Sequence, residues 1–398
     1  MGIGASLAQA WDILWGAAPW GSLSAIPAAA LPRGMIAAAL VAAACALDRW
    51  LGDPQGWPHP VQAMGALISW LRQGAEAWAG DRPARLRLAG GGIAMVVLAA
   101  CGLAGWAVER LALVCPALGL PLLLAGLASS LAGGSLERAV REVLAALGPA
   151  GTGPAGQGTP AAAAGSPPLE AKGLEPARQR LAWIVGRDVD GLDEPEILRA
   201  LAETASENGV DGLFAPLFWM LAGAALWTLV PAAVAPFCPG PLCLAWLFKG
   251  ASTMDSMLGY RRGRLRWLGT AGARLDDVLT WLPCRCVALS LALMPQPPGS
   301  PAFGRDPCWR FRQALREGAA DPSPNAGVSQ AAYALAACVR LGGVNRYGGE
   351  LRAKPVLAPA AAAADRAAVC RILALNTRLE LGWLVMILPT LLLVAESR

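Results

Sequence analysis

Long apolar segments alternate with shorter polar segments along the chain, and this alternation predicts a mostly helical structure. Residues 88–108 and 111–131 are long and apolar enough for two membrane helices, joined by a tight turn at Glu109–Arg110. Residues 212–248 are apolar but contain several prolines, which favours a helical hairpin or a pair of crossings. Further apolar helices are predicted over 35–47, 278–294 and 381–395.

The polar segments between these helices differ in kind. Residues 175–212 contain many charged side chains in a helical pattern, and residues 295–320 predict a polar loop followed by an amphipathic helix. Residues 148–177 consist mainly of Ala, Gly, Pro and Ser, which cannot bury a core, so we expect a disordered linker there.

Composition fixes the class of protein. Of the 398 residues, 55% are hydrophobic and only 15% are charged, with a mean hydropathy of +0.45. Soluble domains average about 25% charged residues. We therefore predict an all-α fold, a polytopic membrane helical bundle with cytoplasmic helical loops. Its predicted parts are membrane helices with a His59 loop over 1–136, a flexible region over 137–180, and a catalytic region over 181–398.

Several function classes are excluded at this stage. The net charge of +5 lies mostly in loops, as the positive-inside rule expects, and no nucleic-acid-binding motif is present. The ten cysteines show no CxxC spacing, so we predict that they are reduced thiols packed among apolar side chains. A single histidine excludes a metal site built from several histidines. Neither GxxxxGK[ST] nor GxGxxG occurs, so no such phosphate-binding loop is predicted.

Residues 249–283 are the densest mixture of acids, bases and glycines in the chain. Charged groups between apolar segments are costly and therefore usually functional. Ser252 and Asp255 fit a capping box that would begin a helix, and a second helix is predicted to begin near Asp276–Asp277. On the first helix, arginines three or four apart would share a face: Arg261 with Arg264, and Arg262 with Arg266. The alternative is a basic loop beside the membrane followed by a capped helix.

An acidic stripe is predicted on the helix that precedes residue 212. Arg199, Glu203, Glu207 and Asp211 recur every four residues, although Gly209 is a possible helix end. Oxygen ligands of this kind suit Mg²⁺, and the alternative is a solvated acidic face. The candidate metal ligands are Glu203, Glu207, Asn208 and Asp211.

Two further polar segments are candidates for binding. Asp53 follows an apolar helix, and His59 stands between two prolines, so a rigid turn with a surface histidine is the alternative there. Gly342–Gly343 and Gly348–Gly349 flank a segment that contains Asn345 and Tyr347. Paired glycines let backbone N–H groups approach an anion, although such pairs more often form plain turns.

Four blocks of sequence together resemble the adenosylcobinamide-phosphate synthase (cobinamide synthase) family of integral membrane proteins. They are LGDPQGWPHPVQAMG (51–65), VGRDVDGLDEPEILRALAETASENGVDGLFAPLFW (185–219), KGASTMDSMLGYRRGRLRWLGTAGARLDDVLTWLPCR (249–285) and SPNAGVSQAAYALAACVRLGGVNRYGGELRAKP (323–355). They follow the family's order and cover about a third of the chain. The chain departs from the family's pattern at Ser252–Thr253, where Asn-Thr is usual, at Gly209, where Thr is usual, and in the length of its linker.

The resemblance implies an ATP- and Mg²⁺-dependent amide ligase. It would join aminopropanol, or its O-phosphate, to the free propionate of the corrinoid adenosylcobyric acid. By resemblance, Lys249, Asp255, Asp276 and Asp277 are candidate catalytic residues. The candidate substrate-binding residues are Asp53, His59, Tyr260, Arg261, Arg262, Arg274, Asn325, Arg340, Asn345, Tyr347, Glu350 and Lys354. The implied partners are these substrates, the lipid bilayer and other enzymes of the corrinoid pathway, without nucleic acid.

The resemblance also implies a multi-pass protein of the cell inner membrane whose active site faces the cytoplasm. All four blocks must then lie on one side, so the number of crossings between successive blocks is even. Residues 278–294 stand alone between two blocks and are predicted to be re-entrant or buried among other helices. Two other functions stay open: a Mg²⁺-dependent intramembrane prenyltransferase, suggested by Asp276–Asp277, and a membrane transporter, although no internal repeat is visible.

Overall fold

The computed structural model describes residues 33–53, 56, 58–148, 173–230, 234, 237–296, 302 and 304–396. Most of these residues are helical. The helices are α1 (Arg33–Leu51), α2 (Pro60–Ala79), α3 (Pro83–Val114), α4 (Pro116–Ala128), α5 (Gly133–Ala146), α6 (Glu175–Leu181), α7 (Glu194–Gly209), α8 (Ala215–Leu229), α9 (Pro241–Leu258), α10 (Leu265–Leu268), α11 (Thr270–Leu293), α12 (Pro307–Gly318), α13 (Ala326–Ala337) and α14 (Arg366–Glu396). A π-helical turn, Val210–Phe214, joins α7 to α8.

The all-α prediction is wrong in one place, because an antiparallel β-hairpin follows α13. Its strands are β1 (Leu341–Tyr347) and β2 (Glu350–Leu357). Four glycines, at 342, 343, 348 and 349, have φ between 58° and 99°, which a right-handed helix cannot contain. The glycine pairs that we considered as anion-binding turns therefore set the ends of a hairpin.

Two helical segments among the described residues are long and apolar enough to cross a membrane. They are α3 and the continuous run Glu194–Leu229, and α4 with α5 would make a third if that pair, bent by 42°, is one span. These segments mark a membrane protein, whereas a multi-pass bundle and its orientation stay predictions. The predicted turn at Glu109–Arg110 is wrong, since α3 continues to Val114 and ends before Pro116.

Helix α9 lies at the centre of the described fold and packs against α2, α3, α8 and α11. Small residues allow the closest of these contacts. A Cβ atom added at Gly105 of α3 would lie 2.8 Å from the Cα of Cys243, and one added at Gly250 would lie 2.9 Å from Cys101 Sγ. Glycine at such positions lets two helices approach more closely than other residues permit. The predicted hairpin over 212–248 is confirmed as the pair α8 and α9.

The 249–283 segment has helix boundaries different from those predicted. Ser252 and Asp255 lie inside α9, so they form no capping box, because the helix has already begun at Pro241. Helix α9 ends at Leu258, residues 259–264 form a loop, and α11 begins at Thr270, before Asp276. The arginines at 261 and 262 therefore belong to a loop and share no helix face with Arg264 and Arg266.

Other predicted boundaries shift in the same way. Residues 137–146 and 175–181, at the edges of the predicted flexible region, are helical, and Val140, Val143 and Leu181 are completely buried. The middle of that region, 149–172, lies outside the described residues, as do residues 1–32. The last helix begins at Arg366, ahead of the predicted 381.

The predicted re-entrant segment 278–294 lies almost entirely in α11, which is not one of the candidate spans. One side of it, with Cys284 and Val287, is buried, whereas Val278 and Leu289 on the other side are exposed.

Candidate functional site

Three helical segments bring one lysine and three carboxylates together. The π turn carries Asp211, α9 carries Lys249 and Asp255, and α11 carries Asp276; we call these four residues the central cluster. Asp211 and Asp276 interact electrostatically with each other and with both Lys249 and Asp255. Within the described part of the chain, none of the four makes an ion pair shorter than 4 Å. The cluster therefore unites predicted catalytic residues with one predicted metal ligand.

Burial shifts the proton affinities of the central cluster. Together with the charges of Asp255 and Asp277, it raises the pKa of Asp276 to about 7, against the opposing effect of Lys249. Burial also lowers the pKa of Lys249, against the opposing effect of Asp53, Asp211 and other carboxylates. A carboxyl group with a pKa near neutrality can accept and release protons at working pH.

Asp53 and His59 lie at one edge of the central cluster. His59 Nε2 is 3.3 Å from Asp53 Oδ1, and Ser135 donates a hydrogen bond to Asp53 Oδ2 at 3.3 Å. The other ring nitrogen of His59 accepts from Val61 N and caps α2. Burial acts to raise the pKa of Asp53, but His59, Ser135 and Lys249 outweigh it and lower the pKa. This edge keeps one ionised carboxylate near Lys249.

Asp277 lines a separate open cleft of about 540 Å³. We call it the arginine cleft, and it is lined by Tyr260, Arg261, Arg266, Thr270, Arg274 and Asp277, among others. Asp277 interacts with Arg261 and Arg274 there and with Asp255 of the central cluster. The exposed Arg262 lies outside this lining and stacks over the Tyr260 ring at 5.0 Å.

Asn325, predicted to bind substrate, is buried and acts as a support for α11. Its Nδ2 donates to the main-chain oxygen of Asp277 at 2.8 Å, and its Oδ1 accepts from Arg285. Arg285 also donates to the main-chain oxygen of Pro324 at 2.8 Å. These bonds fix the backbone that carries Asp277.

A second polar group lies where α7, α13 and β2 meet. Gln330 donates to Glu207 Oε2 at 2.6 Å, and Lys354 Nζ is 3.6 Å from Asp321 Oδ2. Burial acts to lower the pKa of Lys354, but Glu207 and Asp321 outweigh it and raise the pKa. Because Glu207 also interacts with Asp211, this group is continuous with the central cluster.

Glu203 and Asn345 hold the β-hairpin against α7. Glu203 is almost completely buried and accepts from Arg187, from Arg199 and from the backbone N–H of Gly342. Asn345 Oδ1 accepts from both arginines, at 2.8 and 3.0 Å. The Glu203 carboxylate and Asn345 Oδ1 are thus used within the protein and support the hairpin, whereas Asn345 Nδ2 is buried without a hydrogen-bond partner among the described residues.

The predicted metal ligands are not assembled into one site. Glu203 is engaged by two arginines, Glu207 by Gln330, and Asn208 donates to Thr204 Oγ1 at 3.1 Å. Across the residues that the structure describes, no group of three or more His, Cys, Asp or Glu side chains is arranged to hold a metal ion. Of the predicted set, Asp211 alone belongs to the central cluster.

The remaining predicted residues lie on or beside the hairpin. Tyr347 and Glu350 pair across its turn, and the exposed Glu350 accepts from Arg352 at 3.3 Å. Arg340 lines a different cleft, of about 560 Å³, with Arg199 and Gly343. Among the described residues, none of these side chains forms a hydrogen bond or an ion pair with the central cluster.

An anion does approach the second glycine pair, and it is a carboxylate of the chain itself. The backbone N–H groups of Gly348 and Gly349 donate to Asp188 at 2.9 and 2.7 Å. These hydrogen bonds hold the pKa of Asp188 below its usual value. The hairpin turn is therefore anchored to the loop before α7.

Replacing Asp188 with alanine is expected to loosen the hairpin turn, because both N–H groups lose their acceptor. Hydrogen exchange at Gly348 and Gly349 should become faster by roughly tenfold, while exchange in α9 stays unchanged. Asp190→Ala, two residues away, is the control. Unchanged exchange at both glycines in Asp188→Ala would contradict the anchoring role.

Several residues of the site were not singled out as candidates from the sequence. Asp48, buried in α1, accepts from Gly134 N at 3.0 Å and interacts with Asp53 and Lys249. Asp188, Asp321 and Gln330 lie inside or next to the four sequence blocks, so their position in those blocks was the available signal. Glu109 accepts from Leu242 N at the start of α9, the helix that carries Lys249. It had no such signal in the sequence, since it lies in an apolar helix outside the blocks.

Comparison with known proteins gives a consistent family. The protein family described as "CobD/Cbib protein" matches residues 41–157 and 159–376 of the chain. The "Cobalamin biosynthesis protein CobD" of Synechocystis is 38% identical over 324 residues, which are 81% of this chain and 82% of that protein. The protein of the same name from Halalkalibacterium halodurans is 33% identical over 88% of this chain and 96% of its own length.

A third relative is the "Cobalamin biosynthesis protein CbiB" of Salmonella choleraesuis, which is 36% identical over 78% of this chain and 83% of its own length. No solved structure matches the chain. The family match covers most of the chain and includes every residue of the central cluster, so the chain belongs to the CobD/CbiB family of cobalamin biosynthesis proteins.

Proposed function

We propose that the protein is an ATP-dependent amide ligase that attaches aminopropanol, or its O-phosphate, to the free propionate of adenosylcobyric acid. The observation that supports it best is the central cluster beside the arginine cleft in a member of this family. Amide formation needs an activated carboxylate and a neutral amine. The central cluster and the arginine cleft supply groups suited to these two requirements.

The central cluster would handle protons and charge. Asp276, with a pKa of about 7, is suited to take the proton that an ammonium group must lose before the amine attacks. Lys249 would face the negative charge of the propionate, since it is the cation among three carboxylates. Asp255, which interacts with Asp277, would help to orient the amine.

The donor set also fits Mg²⁺ bound together with phosphate. In proteins that bind nucleotides, Mg²⁺ is typically held by one or two carboxylates plus phosphate oxygens and water, so a group of three protein ligands is unnecessary. Asp211 and Asp255 are carboxylates without a cation within 4 Å among the described residues, and they would be the ligands. ATP would supply the activation of the carboxylate, and Mg²⁺ would offset phosphate charge.

The arrangement of Asp276 and Asp277 argues against the prenyltransferase alternative. That chemistry uses neighbouring aspartates to hold one metal–diphosphate group. Here Asp276 belongs to the central cluster with Lys249, whereas Asp277 lines the arginine cleft.

The direct test is amide formation by the purified protein in detergent. Adenosylcobyric acid, ATP, Mg²⁺ and either amine substrate should give a product whose mass is the sum of corrinoid and amine less one water. Omitting ATP should remove the product, and Asp276→Asn should reduce its rate about 10²- to 10⁴-fold, the usual contribution of a general base. Absence of product from the parent protein with both amines, in a preparation that unfolds cooperatively, would contradict the proposal.

A further inference from the structure

The start of α3 carries arginine and tryptophan side chains close together on its outer surface. Arg82 precedes the helix, Arg85 and Arg87 lie in its first turns, and all three are exposed. In the part of the chain that the structure describes, none of the three side chains forms a hydrogen bond or an ion pair. The guanidinium carbon of Arg85 lies 5.6 Å from the centre of the Trp78 ring, and that of Arg87 lies 4.3 Å from the centre of the Trp267 ring. We call these five residues the arginine–tryptophan patch.

The two acids closest to the patch in sequence do not neutralise it. Asp81, next to Arg82, pairs with Arg264 at 2.7 Å, and Glu76 on α2 pairs with Arg72 at 2.6 Å. Each of these carboxylates therefore has a cation of its own outside the patch. The patch keeps three positive charges at the protein surface, without a carboxylate of the described chain to balance them.

An exposed apolar side of α3 begins where the patch ends. Leu88, Met95 and Leu103 recur every seven or eight residues, so they lie on one side of the helix, and each is between 65% and 71% exposed. Helix α3 is also one of the candidate membrane spans among the described residues. The patch therefore lies where an apolar span would meet the polar headgroups of the bilayer, a depth at which tryptophan and arginine side chains are favoured.

Helix α10 contributes the second tryptophan because it packs directly on α3. A Cβ atom added at Gly90 would lie 2.1 Å from the main-chain oxygen of Leu268, so the two backbones touch at this point. This contact brings Trp267 beside Arg87, and Arg266 of the arginine cleft stacks on the same ring at 4.9 Å. Stacking on a ring orients a guanidinium group and leaves its in-plane N–H donors free for phosphate oxygens.

We infer that the arginine–tryptophan patch binds the headgroup of an anionic phospholipid. The phosphate of the lipid would lie on Arg82, Arg85 and Arg87, and its acyl chains would follow the exposed apolar side of α3 through Leu88 and Met95. The inference goes beyond the proposed function, because the partner is a component of the bilayer and takes no part in amide formation.

Charge complementarity decides the class of lipid. A zwitterionic headgroup carries an ammonium group that three neighbouring cations would repel, whereas a headgroup with a net negative charge is attracted by each of them. Guanidinium groups also bind phosphate oxygens in pairs. A soluble phosphate would gain nothing from the adjoining apolar side of α3, so we assign the patch to a lipid such as phosphatidylglycerol.

The test measures lipid binding to the full-length protein in detergent by native mass spectrometry, which gives a Kd for each added lipid. At low ionic strength the parent should bind phosphatidylglycerol at least about thirtyfold more tightly than phosphatidylcholine. The double variant Arg85→Gln/Arg87→Gln should raise the Kd of phosphatidylglycerol about thirtyfold, which corresponds to about 2 kcal/mol, and should leave the Kd of phosphatidylcholine unchanged. Added salt should weaken phosphatidylglycerol binding to the parent, since the three charges are exposed.

Arg312→Gln/Arg316→Gln is the matched control, since it also removes two exposed arginines of one helix, but from α12, which packs on α11, α13 and β2. It should leave both lipid affinities at the parental values. Equal affinities of the parent for the two lipids, an unchanged Kd in the α3 double variant, or equal weakening of both lipids by that variant would overturn the inference. Displacement of phosphatidylglycerol by glycerol 3-phosphate at equal concentration would show that the patch binds phosphate alone and would overturn it too.

Discussion

Replacing Lys249 with methionine is expected to slow amide formation strongly while the protein still accumulates in the membrane. Methionine keeps the length and the apolar stem of the lysine, so packing inside α9 should change little. The change removes the cation that interacts with Asp53, Asp48, Asp211 and Asp276. Without it, a substrate carboxylate would meet only negative charge in the central cluster. We expect the rate to fall about 10²- to 10⁴-fold.

A second readout separates this electrostatic role from simple misfolding. Burial and the neighbouring aspartates raise the pKa of Asp276 to about 7 even though Lys249 opposes the rise. Removing the lysine should raise that pKa further, so more of the Asp276 carboxyl is protonated at pH 7. A base that must be ionised then works only at higher pH, and the acidic limb of the pH–rate profile should move upwards. Lys249→Arg keeps the positive charge and should leave the limb near its parental position.

The measurement is the rate of amide formation by purified variants between pH 6 and about 9, with thermal unfolding recorded for each protein. Arg264→Met is the control, because it removes a surface cation outside the central cluster. If Lys249→Met keeps a rate within threefold of the parent, or shows an unshifted limb, the cluster does not act through this lysine.

Sequence patterns predicted which segments are helical better than they predicted where each helix begins and ends. The apolar runs at 88–108 and 212–248 correspond to real helices because burial of apolar surface dominates over such lengths. Local signals failed where tertiary contacts decided the outcome. Ser252 and Asp255 match a capping box, yet α9 had already begun at Pro241, where a carboxylate from α3 caps it.

The site shows the same difference between residues and their contacts. The resemblance implied Lys249, Asp255, Asp276 and Asp277 as catalytic residues, and in the structure Asp276 interacts electrostatically with the other three. Their catalytic role stays a prediction. The acidic stripe was a correct helix pattern, but its partners could not be read from local spacing. Arg187, sixteen residues from Glu203, and Asn345, far along the chain, decide that Glu203 supports the hairpin. Partners of buried charges come from any part of a chain, so spacing alone cannot assign them.

Glu109 is the residue for which we expect the largest effect on stability. It lies in α3, is completely inaccessible to solvent, and binds the N-terminus of α9. Its Oε1 accepts from the N–H groups of Leu242 and Cys243 at 2.8 and 3.0 Å, and its Oε2 accepts from Gly240 N at 3.0 Å. Gly240 offers no side-chain cap of its own, so Glu109 satisfies donors that the helix start would otherwise leave unpaired.

Glu109→Ala removes all three acceptor contacts at once. An unsatisfied buried donor costs about 1–3 kcal/mol, so we expect a loss of roughly 3 kcal/mol or more in the free energy of unfolding. For a chain of this size the melting temperature in detergent should fall by roughly 5–10 °C. Glu109→Gln keeps one acceptor oxygen and turns an amide N–H₂ towards the remaining donors, so it should be intermediate. Hydrogen exchange at Leu242 and Cys243 should become faster in both variants.

Glu76→Ala provides the control, because Glu76 also lies in a helix but pairs with Arg72 one turn away at 2.6 Å. Such pairs contribute only about 0.3–0.5 kcal/mol, so its melting temperature should stay within roughly 1–2 °C of the parent. Because α9 carries Lys249 and Asp255, amide formation should fall with stability in Glu109→Ala and recover on cooling. A Glu109→Ala protein that melts with the parent would show that water or another group satisfies the start of α9, and that this carboxylate has a different purpose in the apolar interior.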